Sequence, residues 1–356
     1  MGGPIRDADE ASLRDAVALL RAGGVVAFPT ETVYGLGADA ASESGVARIY
    51  RIKGRPVGHP LIVHVDGLES ARWWAEFDAD ATCLARRFWP GPLTLILRRR
   101  PGVPAWACGH EPTIGLRCPS HPVATRLLAA FRRAGGHGIA APSANRFGRI
   151  SPTRALHVLE DLGAEAPLIL DGGDAEVGVE STIVDLSRGR GVLLRPGAIT
   201  AAEIADALGA PIEDRGEASM APEAFEVADG RRAEPDAPPR TSGSMAAHYA
   251  PVRPLELVSP GELADRLAVL RDQGVRVVLW SRRRPAGHVG EWERAPGNAR
   301  DYARVLYDAL RRFDRLDVER IVLEAPPDGA DGSLWAAVND RLKRAAFGSG
   351  AASPPG

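Results

Sequence analysis

Along residues 9–22 the apolar positions Leu13, Val17 and Leu20 fall three and four residues apart, the period of a helix with one buried stripe. Gly23 and Gly24 end that stripe, and Val25-Val26-Ala27-Phe28 follows as an unbroken apolar run of strand length. The same alternation continues down the chain. Strand-like runs at 61–65, 93–97, 113–116, 168–170, 182–184 and 192–194 are interleaved with helical periodicity near 43–53, 80–88, 121–133 and 153–162. Short apolar strands mixed with one-faced helices predict a mixed α/β sheet.

A helix near 200–208 closes this pattern. Residues 211–246 then lose periodicity and fill with Pro, Ala, Glu and Arg, the composition of a linker. Order resumes after Pro254, with strands at 255–258, 275–280 and 321–324 and helices near 261–272, 298–313 and 331–346. The expectation is a first domain over 1–210, a linker or lid over 211–251, a smaller Rossmann-like α/β domain over 252–347 and a disordered tail over 348–356. A length of 356 residues agrees with two domains, since domains cluster at about 100–200 residues.

Composition narrows the class without choosing a function. The 45% hydrophobic and 25% charged content is that of an ordinary globular protein, and no apolar run approaches the roughly 18–20 residues of a membrane span. The start, Gly-Gly-Pro and then Arg6, Asp7, Asp9 and Glu10, lacks the order of a secretory signal, so a cytoplasmic location is expected. Cys83, Cys108 and Cys118 form no CxxC pair and are odd in number, which argues against a disulfide framework or a zinc knuckle. A net charge of -2 exerts no global pull on nucleic acid, so any anion site must be a local cluster of Arg and Lys.

Four segments carry groups suited to chemistry. At 29–37 a buried strand runs into Thr30, Glu31 and Thr32 and then Gly35 and Gly37. The glycines do not form a dinucleotide fingerprint, because the basic residues Lys53 and Arg55 stand where an acid is needed about 20 residues on. At 53–64, Lys53, Arg55, His59 and His64 surround a strand entrance stiffened by Pro and Gly. Lysine supplies a point charge and arginine a planar fork, which together suit a polyphosphate. A lone histidine closing an apolar strand, as His64 does, is more often a hydrogen-bonded core residue. The third group joins Thr113–Arg117 to 140–148 and Ser151, small polar residues beside glycine that resemble the wall of a nucleotide pocket. Ser143 has no His-and-Asp relay and is not read as a nucleophile. The last places Glu180, Ser181, Thr182 and Arg195 at strand ends, so that all four converge on one cleft.

The motifs PTETVYGLG (29–37), KGRPVGHPLIVH (53–64), FWPGPLT (88–94), TIGLRCP (113–119), APSAN (141–145), ESTIVD (180–185) and RPG (195–197) together resemble the YrdC-like family of L-threonylcarbamoyladenylate synthases. HYAP (248–251) is similar to the segment that, in the long form of that family, joins the linker to an extra C-terminal domain. The resemblance implies a YrdC-like twisted mixed sheet with helices forming a concave cleft. It also implies a nucleotidyltransferase that condenses L-threonine, bicarbonate or CO2 and ATP into threonylcarbamoyl-AMP and pyrophosphate, for transfer to a tRNA adenosine by partner proteins. By motif, Lys53 and Arg55 are the implied catalytic cations. Thr32, His64, Arg117, Ala141 and Ser181 are the implied threonine pocket, with Arg117 opposing the carboxylate. Arg55, His59, Thr113, Ser143, Asn145, Ser151, Arg195 and Tyr249 are the implied ATP contacts. Mg²⁺ is expected with ATP, held by phosphates and water because no carboxylate cage is visible. The partners implied are tRNA threonylcarbamoyl-transfer proteins, with a weak contact to tRNA left open and no membrane. His59 stands where the family usually has Asn, and Ser-Met-Ala-Ala precedes HYAP where many relatives have a more basic run.

Two other readings make different demands. An RNA-binding module of YrdC-like fold would show no catalysis and a steep salt dependence of RNA affinity. A carbamoyltransferase of the hydrogenase-maturation type resembles a much longer chain with zinc-finger cysteines, which the missing CxxC disfavours.

Overall fold

Asp9 begins the first long helix by accepting a hydrogen bond from the Ser12 amide, and Ser42 and Asp78 do the same for two of the next three. Those helices are α1 (Glu10–Arg21), α2 (Glu43–Lys53), α3 (Leu68–Trp74) and α4 (Ala79–Phe88), followed by α5 (Pro122–Arg133), α6 (Ala155–Leu162) and α7 (Ala201–Leu208). The computed structural model describes residues 4–214, 248–329 and 333–350. The strands of the first domain are β1 (Ile5–Asp7), β2 (Val25–Phe28), β3 (Gly35–Asp39), β4 (Ile62–His64), β5 (Leu93–Arg98) and β6 (Thr113–Arg117). They continue with β7 (Ile139–Ala140), β8 (Leu168–Asp171), β9 (Thr182–Asp185), β10 (Val192–Arg195) and β11 (Glu213–Asp214).

These eleven strands make one twisted mixed sheet in the order β1-β8-β2-β3-β7-β4-β6-β5-β9-β10-β11. Strand alternation splits its core in two. Val26 and Phe28 pack with Leu13 and Leu20 of α1 and Leu127 and Phe131 of α5, while Ala27 between them joins Leu36, Val63, Leu95 and the helix residues Val46, Ile49 and Leu84. The sheet is therefore covered by helices on both faces.

The second domain is smaller. It comprises β12 (Leu255–Val258), α8 (Leu263–Asp272), β13 (Val277–Ser281), β14 (Glu291–Arg294), α9 (Ala299–Asp314), β15 (Arg320–Glu324) and α10 (Leu334–Gly348). Its four strands are all parallel in the order β12-β15-β13-β14, as the expected Rossmann-like pattern requires. β11 pairs in parallel with β10, so the first sheet extends past residue 210 into the expected linker. Of the expected lid, residues 215–247 lie outside the described residues, as do 351–356 of the expected tail.

The two domains share a seam of side chains rather than touching at a few points. Val33, Ile150 and Val179 of the first domain pack in one apolar cluster with Tyr249, Leu306, Tyr307 and Leu310. Gly178, in the left-handed region at φ +80, lets the backbone of α9 come so close that a Cβ there would sit 2.4 Å from the Ala303 carbonyl oxygen.

Candidate active site

The segment 29–34 between β2 and β3 is shaped by Thr30. Its hydroxyl donates to the Val33 carbonyl at 2.6 Å and accepts from the Thr32 and Val33 amides, closing a tight local turn. Thr32 thereby points inward, 2.9 Å from the Thr30 hydroxyl. On the neighbouring strands β4 and β6, which run parallel with His64 opposite Arg117, an imidazole and a guanidinium stand side by side at the strand ends. Arg117 donates Nη1 to the Thr32 hydroxyl at 2.9 Å, and its Nη2 lies 2.7 Å from Glu31 Oε1 in a buried ion pair. Burial, helped by the positive charge of Arg117, pushes the His64 pKa down to about 3, so it is a neutral imidazole at working pH.

The opposite wall comes from β9 and β10. Arg195 Nε donates to the Ser181 carbonyl at 3.0 Å and Nη2 to the Ser181 hydroxyl at 3.1 Å, while Thr94 Oγ1 lies 2.7 Å from that hydroxyl. Glu180, one residue earlier, accepts from the Ser151 hydroxyl at 2.6 Å. The third side is the loop 142–145, pinned to β3 by a bridge between Gly35 and Ser143 and by the Leu36 amide on the Pro142 carbonyl at 2.8 Å. His248 and Tyr249 close the site and are both buried. The resulting cavity is lined by Thr30, Thr32, Val33, Gly35, Ile62, His64, Arg117, Ala141, Pro142, Ser143, Glu180, Ser181, Arg195, His248 and Tyr249.

Residues 18–197 match the family model Sua5_yciO_yrdC, described as telomere recombination, and residues 199–347 match the threonylcarbamoyl-AMP synthase C-terminal domain. Threonylcarbamoyl-AMP synthase of Pyrococcus abyssi is 37% identical over 95% of this chain and 94% of its own. That of Bacillus subtilis is 38% identical over 96% of both. The chain belongs to the threonylcarbamoyl-AMP synthase family. The crystal structure of P. abyssi Sua5 complexed with L-threonine covers 97% of both chains at a TM-score of 0.82 and 34% identity, so the family likeness extends through both domains.

Against that family, the cavity brings together all five residues expected at threonine, namely Thr32, His64, Arg117, Ala141 and Ser181, with Ser143, Arg195 and Tyr249 from the expected ATP set. Six expected residues do not line it. Lys53, at the end of α2, is buried with its ammonium donating to the Ser143 carbonyl at 2.5 Å and the Asn145 carbonyl at 2.6 Å. Burial, with Arg55 nearby, pushes its pKa well below the ordinary lysine range. Arg55 donates to the Pro60 carbonyl at 3.1 Å and lies 5.8 Å from the ring centre of Phe147, against which His59 and His248 also pack edge-on. Burial lowers the Arg55 pKa to about 10. Asn145 donates to the Arg146 and Arg149 carbonyls, and Ser151 to Glu180. Thr113 stands at the far end of β6 from Arg117, paired with Arg98.

Several site residues had no role assigned from sequence. Glu31 lies between two threonines inside the motif that was read, yet nothing local marks it as the partner of a residue 86 positions later. Glu180 stands among the strand-end groups of the sequence, but nothing near it marks its partners in the second domain. Its carboxylate is buried, which favours the neutral acid, but Arg341 and Arg195 hold its pKa down to about 2. Arg341 had a readable signal: it interrupts the apolar spacing Leu334, Val338, Leu342 and Ala345 of α10 with a charge.

Proposed function

We propose that the chain condenses L-threonine, bicarbonate and ATP into threonylcarbamoyl-AMP and pyrophosphate, the reaction for which its family is named. The observation that carries this is the joining, in one buried cavity, of an arginine already shaped around a carboxylate with an arginine anchored among hydroxyls on the facing wall. Arg117 binds the threonine carboxylate in the place that Glu31 and Thr32 define. Threonine's amine takes up CO2 to give a carbamate, and a carbamate oxygen attacks the α-phosphorus as the bond to pyrophosphate breaks. Arg195, on the cavity wall, faces the growing negative charge, a demand for a positioned cation rather than for a protein nucleophile. His64, neutral and buried, lines the same cavity without adding a second positive charge beside Arg117.

Lys53 acts one step removed. By holding the Ser143 and Asn145 carbonyls it fixes the loop that forms the nucleotide side of the cavity. Among the described residues no cluster of three or more His, Cys, Asp or Glu suits a metal, and the one carboxylate lining the cavity is bonded to Ser151, Tyr307 and Arg341. On this reading Mg²⁺ enters with ATP, held by the phosphates and water. His248 and Tyr249 form the roof that keeps water from the mixed anhydride. The product is suited to a second enzyme that transfers its threonylcarbamoyl group to a tRNA adenosine.

The test is pyrophosphate release from MgATP. It is expected to require threonine and bicarbonate together, and equal release without threonine contradicts the reading.

A further inference from the structure

Arg341 lies in the buried stripe of α10, and its side chain has no exposure at all. A guanidinium so thoroughly removed from water is tolerated only with matched partners. Most of its partners belong to the other domain. Nε donates to Glu180 Oε2 at 3.0 Å, Nη2 to the Glu180 carbonyl at 3.3 Å and Nη1 to the Pro196 carbonyl at 2.9 Å. Asp340 takes Nη1 at 2.8 Å and holds Arg344 Nε at 2.9 Å. Tyr307 of α9 adds a hydrogen bond to Glu180 Oε2 at 2.9 Å, and the Arg341 guanidinium sits 5.7 Å from the ring centre of Tyr249, which stacks on Tyr307.

These contacts land on the two chain segments that present the wall of the cavity. Glu180 immediately precedes Ser181, and Pro196 immediately follows Arg195. One guanidinium from the second domain thus ties both strand ends, and with them the spacing between a cavity hydroxyl and a cavity cation. Arg195, tied into this buried network, presents its guanidinium to the cavity, a group suited to a polyphosphate.

We propose that Arg341 is a positioning residue of the active site, setting through Glu180 and Pro196 the place at which Ser181 and Arg195 meet the nucleotide. The inference rests on the synthase reading for the identity of the nucleotide, and it gives the second domain a part in nucleotide binding that is exerted through Glu180 and Pro196. It has a consequence for pH. The groups facing Glu180 are Arg341 and Asp340 from α10, Tyr307 from α9, Arg195 from β10, Ser151, and His248 and Tyr249 at the roof. With Arg341 removed, burial is opposed chiefly by Arg195, and the Glu180 pKa moves up toward the working range. Its protonation below that value then weakens the hold on Ser181 and Arg195.

The experiment measures MgATP affinity by calorimetry, melting temperature, and the pH profile of turnover for the full-length chain and for Arg341→Met, Arg341→Lys, Glu180→Gln and Arg311→Met. Arg311 of α9 is also a seam guanidinium, bonded to both Asp161 oxygens at 2.9 and 2.7 Å and to the Ile150 carbonyl, but it makes no bond to Glu180. Arg311→Met therefore reports what loosening the seam does by itself. Arg341→Met is expected to weaken MgATP at least about ten-fold and to bring in a loss of activity on the acid side, with Arg341→Lys intermediate. Arg311→Met is expected to lower the melting temperature with a far smaller change in MgATP affinity and no new acid limb. Equal MgATP affinities for Arg341→Met and Arg311→Met overturn the proposal. If Arg341→Met does not fold, Glu180→Gln decides: weakened MgATP supports the proposal and wild-type affinity overturns it. Because affinity is read without turnover, a wild-type chain that binds MgATP but releases no pyrophosphate counts against the synthase reading alone.

Discussion

Lys53 and Arg117 are both buried cations, yet different groups hold them. Lys53 is bonded to two neutral carbonyls, whereas Arg117 lies against the carboxylate of Glu31 and the hydroxyl of Thr32. Their substitutions are accordingly expected to differ. Arg117→Ala removes a charged fork whose contact with a carboxylate is worth about 1.5–3 kcal/mol, so the threonine KM is expected to rise roughly 10- to 150-fold while the ATP KM changes less. Lys53→Ala leaves two buried carbonyls unpaired at a cost of roughly 1–3 kcal/mol each, and is expected to lower both melting temperature and kcat. Steady-state kinetics with each substrate varied, beside thermal melts, separates the two, and swapped phenotypes would mean that the pockets are reversed. Residue types at this site were legible in the sequence because Lys, Arg and hydroxyls at strand ends have few other uses. Their pairings were not, since the carbonyls of Ser143 and Asn145 lie some 90 residues from Lys53 and no local pattern links them.

At the scale of elements, helices with a clear apolar stripe and strands of branched residues stand within a few residues of where their spacing puts them. β3 is the instructive exception. Gly35-Leu36-Gly37-Ala38-Asp39 has the look of a turn, but it is a central strand whose glycine permits contact: a Cβ at Gly37 would lie 2.7 Å from both Ile139 and Phe28. Tertiary packing, invisible in a local window, decides such a segment. β1, β7, β11, β14 and α3 were also missed, most of them too short to show a period. Gly178 offers a measurable case of the same close approach. Gly178→Ala combines left-handed backbone, about 1–2 kcal/mol, with a clash against the carbonyl of Ala303, whereas Gly173→Ala at φ +83 meets nothing within 4 Å. Denaturant midpoints are expected to show Gly178→Ala destabilised by more than Gly173→Ala, and equal losses would mean that α9 yields freely at the seam.

For the whole molecule, the loss of periodicity after residue 210 and its return after Pro254 revealed two domains, but nothing in the sequence joins residue 180 to residue 341. The seam matters because Val33 belongs at once to the cavity wall and to the apolar cluster shared with Tyr249 and Tyr307. All eleven strands of the first sheet lie upstream of the second domain, so a chain ending at Asp214 is expected to fold with a lower melting temperature. It would lack Arg341, His248 and Tyr249, and the expected result is slower ATP consumption with less intact adenylate recovered per ATP used. Unchanged rate and recovery would remove the roof from the account.

Carbon from bicarbonate, the amine of threonine and the adenylate of ATP are expected to become one molecule in this cavity. Full-length chain incubated with MgATP, threonine and isotopically labelled bicarbonate, with the nucleotide products weighed by mass spectrometry, tests it directly. The expected result is one labelled carbon in threonylcarbamoyl-AMP for each pyrophosphate released, and neither product when threonine is left out. Pyrophosphate released without a labelled adenylate, or released equally in the absence of threonine, would contradict it.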